Sequence, residues 1–192
     1  MASFSIHLAV GKKYMEKNHI ENEQLFLRGT VDPDLATDKE KSHYTLERND
    51  NTLITHLNTK IFLPAFLNEN KIDTDYMKGT FLHLITDYLF YNDFFEKDYL
   101  LNISYDEFCQ DLFYSYDLTS NYIEEKYDVD LSGLVEAIVM KREKVKKEKI
   151  SKQSEKNILD IIKLDKFIEK VSRIDLEEYK RKLLEANTNI LP

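Results

Sequence analysis

The chain has 192 residues with 27 basic and 35 acidic side chains, a net charge of −8, and 42% hydrophobic residues including 11 Phe and 12 Tyr. This suits one core-forming domain, or a domain with a small helical addition, while four Gly and three Pro supply too few turn residues for a many-stranded β architecture. A single cysteine excludes a disulfide framework or a Cys-based zinc finger, and the acidic body argues against nucleic-acid binding.

The predicted elements are all helical. The first helix covers residues 3–17, with Ile6, Val10 and Tyr14 along one side and His7 and Gly11 four apart on a common face. A short helical segment from Gln24 to Arg28 stops at Gly29, where glycine can cap a helix. Gly29 to Asp34 reads as a loop from its Gly, Pro and Asp content, and Asp34 to Asp50 as polar and irregular, with His43-Tyr44 in its middle. Residues 59–69 read as helix, kinked at Pro64.

The segment Asp73 to Tyr99 carries Tyr76, Phe81, Leu82, Leu84, Ile85, Tyr88, Leu89, Phe90, Phe94 and Phe95, apolar on nearly every side. Such a helix belongs in the middle of a bundle. Ser104 and Glu107 form a capping box that opens the next helix, and Cys109 reads as a small core residue. Helices follow at 131–150, 154–172 and 175–186, the last opened by Asp175 with Glu178 three later.

Charge divides the chain. Residues 1–135 hold 12 basic against 24 acidic side chains, a net of −12, and residues 136–192 hold 15 against 11, a net of +4. The expected organisation is a core over 1–135 and a Lys-rich helical appendage over 136–192, packed on the core. The Ile/Leu/Phe stripe of that appendage offers a homodimer or protein-partner surface, and its basic run 141–149 reads as a solvated face. The N-terminus has no basic region followed by an apolar stretch, and no segment is apolar enough to span a bilayer, so a cytoplasmic location is expected.

Chemistry concentrates at His83 and Asp87. At i and i+4 on the central helix they point the same way, as a helix presents two ligands to one metal. Burying both is costly unless they satisfy each other or share a cation. Gly79, one turn earlier, would let a backbone or an ion approach that face. His7, Asp34 and His43 each have an ordinary reading, as a core histidine, a turn residue and a solvated loop residue; together with His83 and Asp87 they form a set. His19 and His56 read as surface or packing residues. No phosphate-binding glycine loop, HExxH, His-Asp dipeptide or Gly-x-Ser-x-Gly elbow is present.

The order of these motifs is a histidine early in the first helix, then Gly29-x-x-x-Pro33-Asp34, Ser42-His43-Tyr44, and Gly79-x-x-x-His83-x-x-x-Asp87. Over roughly residues 1–95 it resembles the zinc-dependent phospholipase C family, of the all-helical phospholipase C and single-strand nuclease superfamily. The resemblance implies a phospholipase C-like bundle around a central buried helix, with His7, Asp34, His43, His83 and Asp87 as metal ligands. It further implies Asp87 as a bridge between ions and Asp34 as ligand or base for the attacking water. No histidine follows His83, so one or two zinc ions are expected, with iron or manganese also suited to these donors, and Asp93 is the candidate to replace a missing ligand. The function implied is hydrolysis of a small phosphate-containing substrate, a phosphodiester or phosphomonoester, by metal-activated water. The competing reading is a non-catalytic binding or regulatory protein with a structural metal.

Overall fold

The computed structural model describes residues 2–45, 63–134, 136 and 156–188. Its fold is all-α, with no strand among the described residues. The helices are α1 (Phe4–Met15), α2 (Glu23–Gly29), α3 (Asp32–Leu35), α4 (Lys39–Ser42), α5 (Leu63–Glu69), α6 (Asp75–Leu89), α7 (Lys97–Leu101), α8 (Tyr105–Lys126), α9 (Ile161–Val171) and α10 (Leu176–Thr188).

Side-chain caps fix most of the starts. Ser3, Asn22, Thr74, Ser104 and Asp160 each accept a backbone N–H from the first turn of α1, α2, α6, α8 and α9, which satisfies donors that have no partner within the helix. Both arms of the Ser104–Glu107 capping box form. Asp175 Oδ1 accepts from the amides of Glu177 and Glu178 at 3.0 Å, opening α10. Asp160 also corrects the expected helix over 154–172. α9 begins at Ile161, and the preceding strap is pinned by the Ile158 amide donating to Ser115 Oγ at 2.8 Å.

α6 is the centre of the molecule. Nine consecutive residues, Gly79 to Asp87, are buried, as its apolar circumference requires. α1 is nearly as enclosed, with every residue from Phe4 to Gly11 buried, and it packs on α2, α6, α8 and α9. From α9, Leu164, Phe167, Ile168 and Val171 enter the same core.

Two expectations about helix ends change. The central segment is not one helix over 73–99: α6 gives way to a π-helical turn over Phe90–Phe94, and Phe95 is extended. The cause is aromatic packing. The Phe90 ring meets those of Phe94, Phe95 and Phe167 at 5.2, 5.2 and 5.6 Å between centroids. Neighbours such as Phe94 and Phe95 point about 100° apart on a regular helix, so both reach Phe90 only where the helix widens and then breaks. Gly29 does end α2, but not as a left-handed cap, since no glycine has positive φ. Its role is close approach: a Cβ on Gly29 would lie 2.2 Å from the Tyr76 carbonyl oxygen, and one on Gly79 2.1 Å from that of Phe26. α2 and α6 therefore cross backbone to backbone.

Smaller differences concern single segments. The stretch read as loop and irregular chain contains the short helices α3 and α4. Of the expected helix over 59–69, the described part is α5, Leu63–Glu69, and residues 59–62 lie outside the described residues. Cys109 is half-buried, not a core residue. The expected helix over 131–150 falls mostly outside the described residues, which show a 3₁₀ turn at Ser132–Leu134.

Candidate metal centre

The crossing of α2 over α6 puts the end of α2 against His83. The Thr30 carbonyl oxygen lies 2.8 Å from His83 Nδ1. A carbonyl can only accept, so Nδ1 carries the proton and donates it. Burial holds the His83 pKa down to about 3, with His7 and His43 adding to that depression against the carboxylates Asp87 and Asp34. The ring is therefore neutral, and its Nε2 presents a lone pair to the interior.

His43 is oriented in the same sense from the opposite side. The Ser42 hydroxyl donates to the Pro33 carbonyl oxygen at 2.9 Å, and His43 Nδ1 lies 2.9 Å from the same hydroxyl oxygen. Nδ1 is thus the proton-bearing nitrogen here too. Tyr44, next in the chain, has φ of 52°, a left-handed conformation that costs a non-glycine residue about 1 kcal/mol. Its ring packs edge-on against Phe66, and its hydroxyl accepts from Asn70 Nδ2 at 2.7 Å. These anchors on and just after α5 hold the reversal that aims His43 inward.

The two Nε2 atoms are 3.1 Å apart. With each ring directing an Nδ1–H to Thr30 or Ser42, the two Nε2 atoms are left facing each other at that distance. Asp87 Oδ2 lies 3.6 Å from each Nε2, and Asp34 Oδ1 lies 3.6 Å from His43 Nε2. These separations exceed direct hydrogen-bond length, and among the described residues Asp87 Oδ2 has no hydrogen-bond partner. These nitrogen and oxygen atoms are gathered in a buried interior. Their carriers are 0–3% exposed.

The remaining expected residue, His7, stacks on His83 with ring centroids 3.9 Å apart. Its Nε2 lies 3.3 Å from Asp87 Oδ1, and neither ring nitrogen has a hydrogen-bond partner among the described residues. Asp87 Oδ1 also receives the Ala2 backbone N–H at 2.5 Å. Burial pushes the Asp87 carboxyl up, but neighbouring positive charge and the histidines outweigh it, so Asp87 stays ionised well below the usual carboxylate range.

All five expected residues are thus brought together from α1, α3, the turn after α4, and α6. Two overlapping groups, His7–His83–Asp87 and Asp34–His43–His83, have ligand atoms mutually close enough to hold a metal ion. Asp93 does not join them. It is exposed on the π turn and pairs with Lys170 Nζ at 2.7 Å, so it replaces no ligand. His19 is exposed, and His56 lies outside the described residues.

Three contributors escaped the sequence reading. The Thr30 carbonyl and Ala2 amide are backbone groups, which no side-chain pattern reveals. Tyr116 on α8 is buried close enough to Asp87 and Asp34 that burial, and then their charges, raise its phenol well above the ordinary value. One phenol among twelve tyrosines carries no distinguishing signal.

No family model matches the chain, and neither a curated protein nor a solved structure matches it. Among the described residues no helix is long and apolar enough to cross a membrane.

Proposed function

We propose that the protein is a zinc-dependent hydrolase acting on a small phosphate ester in the cytoplasm. One observation supports the reading above the rest. His43 Nε2 lies 3.1 Å from His83 Nε2 and 3.6 Å from both Asp87 Oδ2 and Asp34 Oδ1, and the ligand atoms fall into two overlapping groups, His7–His83–Asp87 and Asp34–His43–His83, each close enough to hold an ion. Ligands about 2.05 Å from a tetrahedral ion lie about 3.3 Å from one another. A cation among these buried nitrogen and oxygen atoms would be stabilised by them, and a divalent ion also balances the two carboxylates.

The donor set supports catalysis over a purely structural role. Structural zinc sites are built mainly from cysteine, whereas histidine and carboxylate donors are the usual equipment of hydrolytic ones. A divalent ion held here supplies Lewis acidity and lowers the pKa of a bound water. With three of these side chains as ligands and Asp34 left outside the shell, Asp34 would be the group to take a proton from such a water, and Asp87 Oδ1 faces His7 Nε2 at 3.3 Å in the other candidate group. The phosphate ester as substrate rests on the order and spacing of the motifs around His7, Asp34, His43, His83 and Asp87.

A second reading, a binding or regulatory protein with a structural metal, is favoured by the burial of all five ligands. One experiment separates the two. Purified protein is assayed for zinc content and for cleavage of bis-p-nitrophenyl phosphate and p-nitrophenyl phosphate, beside His83→Ala. Stoichiometric zinc with turnover, both lost in the variant, supports the hydrolase. Zinc without turnover supports the structural reading, and wild-type protein that takes up no zinc removes both.

A further inference from the structure

We propose that Ser42 is the positioning residue of this centre, holding His43 in the tautomer that offers Nε2 to the ion; the inference rests on the metal reading above. A serine hydroxyl has one proton. Here it goes to the Pro33 carbonyl at 2.9 Å, so the oxygen lone pair facing His43 Nδ1, also at 2.9 Å, receives a proton from the ring. The same hydroxyl ties two ligand-bearing stretches together, because Pro33 immediately precedes Asp34 and Ser42 immediately precedes His43.

Without that oxygen the imidazole can carry its proton on Nε2. It then points an N–H where an ion needs a lone pair. The backbone has separate support: α3 contacts α4, the Tyr44 ring is seated on Phe66, and its hydroxyl is held by Asn70. Loss of the hydroxyl is therefore expected to loosen the ring and leave the turn standing. His83 has a backbone carbonyl in the equivalent place, which leaves Ser42 as the orienting group that mutation can remove. Partners of this kind typically set metal affinity by 10–100-fold.

The full chain, stripped with a chelator, is titrated with Zn²⁺ against a chromophoric competitor, as wild type, Ser42→Ala and Ser42→Thr. Ser42→Ala is expected to bind 10–100-fold more weakly, with a circular-dichroism spectrum like wild type. Ser42→Thr, which keeps the hydroxyl, is expected to restore binding. Equal affinity of wild type and Ser42→Ala overturns the proposal, as does Ser42→Thr as weak as alanine. Long-range ¹H–¹⁵N NMR of stripped wild type reads the His43 tautomer directly and decides the matter even if Ser42→Ala does not fold. Nδ1–H is expected, and Nε2–H overturns the assignment. Wild type that takes up no Zn²⁺ defeats the metal reading alone, while the tautomer still judges Ser42.

Discussion

Adding one methyl group at Gly79 tests whether helix crossing builds the centre. In Gly79→Ala the new Cβ would start 2.1 Å from the Phe26 carbonyl oxygen and 3.1 Å from the Gly29 Cα. An unstrained carbon–oxygen contact is about 3.3 Å, so α2 must retreat by about 1.2 Å. Both partners are backbone in a close-packed interior, with no flexible side-chain end to yield. The Thr30 carbonyl travels with α2, and its 2.8 Å bond to His83 Nδ1 stretches beyond hydrogen-bond length. Overpacking of this severity costs about 3 kcal/mol or more, beyond the gain of roughly 1 kcal/mol from alanine's helix propensity. The net loss is then about 2 kcal/mol or more, so at 2–4 °C per kcal/mol for a chain of this size melting should fall by at least about 4–8 °C, and zinc affinity should fall with it. Gly11→Ala meets side-chain atoms of Leu27 and Thr30 at 3.0 and 3.2 Å, and Gly133→Ala meets nothing within 4 Å. Their expected losses are about 1 kcal/mol and within about 0.5 kcal/mol of zero, by urea denaturation of stripped protein. A Gly79→Ala variant as stable as Gly133→Ala, with unchanged zinc affinity, would refute the account of the crossing.

Four further outcomes follow from the same geometry. Zinc at a hundred times its dissociation constant should stabilise the fold by about 2.7 kcal/mol, raising melting by roughly 5–11 °C, reversed by chelation; no shift by differential scanning fluorimetry counts against a site formed only in the folded chain. His83→Ala should lose both zinc and turnover, read by metal analysis and phosphodiester assay, and an active variant would sink the ligand assignment. Asp34→Asn, nearly isosteric, should reduce turnover by about 10²-fold or more if Asp34 takes the water's proton, with folding retained by circular dichroism; unchanged turnover removes it from the mechanism. In stripped protein, His83 is neutral when folded, with its pKa at about 3, but takes a proton near 6.5 when unfolded. The unfolded chain thus binds more protons between these values, so stability is complete above pH 6.5 and declines as pH falls towards 3, at up to about 1.4 kcal/mol per unit. Urea midpoints flat from pH 6.5 to 4 would contradict a buried neutral His83.

The helical class, the buried α6 and the five acid and imidazole side chains were legible because each leaves a mark in side-chain chemistry. Few turn residues, an apolar circumference from Phe81 to Phe90, and HxxxD on one face are all visible without coordinates. What stayed hidden is set by contacts distant in the chain. The π turn at Phe90–Phe94 arises from Phe167, more than seventy residues later, and the late start of α9 from Asp160 and the strap to Ser115. Gly29 shows the difference sharply. Its position at a helix end suggested a cap, yet the force acting on it is steric pressure from the Tyr76 carbonyl. Gly79, by contrast, reads in the sequence as a place of close approach, and a backbone does approach there.

The fastening of the imidazoles explains why so costly a cluster persists. A site assembled from mobile ligands would have to order two rings and two carboxylates at each binding event, losing rotamer entropy each time. Here the order is built during folding. Thr30 holds His83, Ser42 holds His43, the Ala2 amide holds one oxygen of Asp87, and the ring of His7 lies flat on that of His83. If the inward lone pairs repel one another in the stripped fold, a cation that need reorganise little relieves that repulsion. Stripped protein should consequently be less stable than a variant in which the repulsion is removed without an ion. His43→Gln, with an amide N–H directed at His83 Nε2, is expected to melt above stripped wild type and to bind zinc far more weakly. If it melts lower, with the fold intact, the buried acceptors are not in conflict and the case for a cation between them fails.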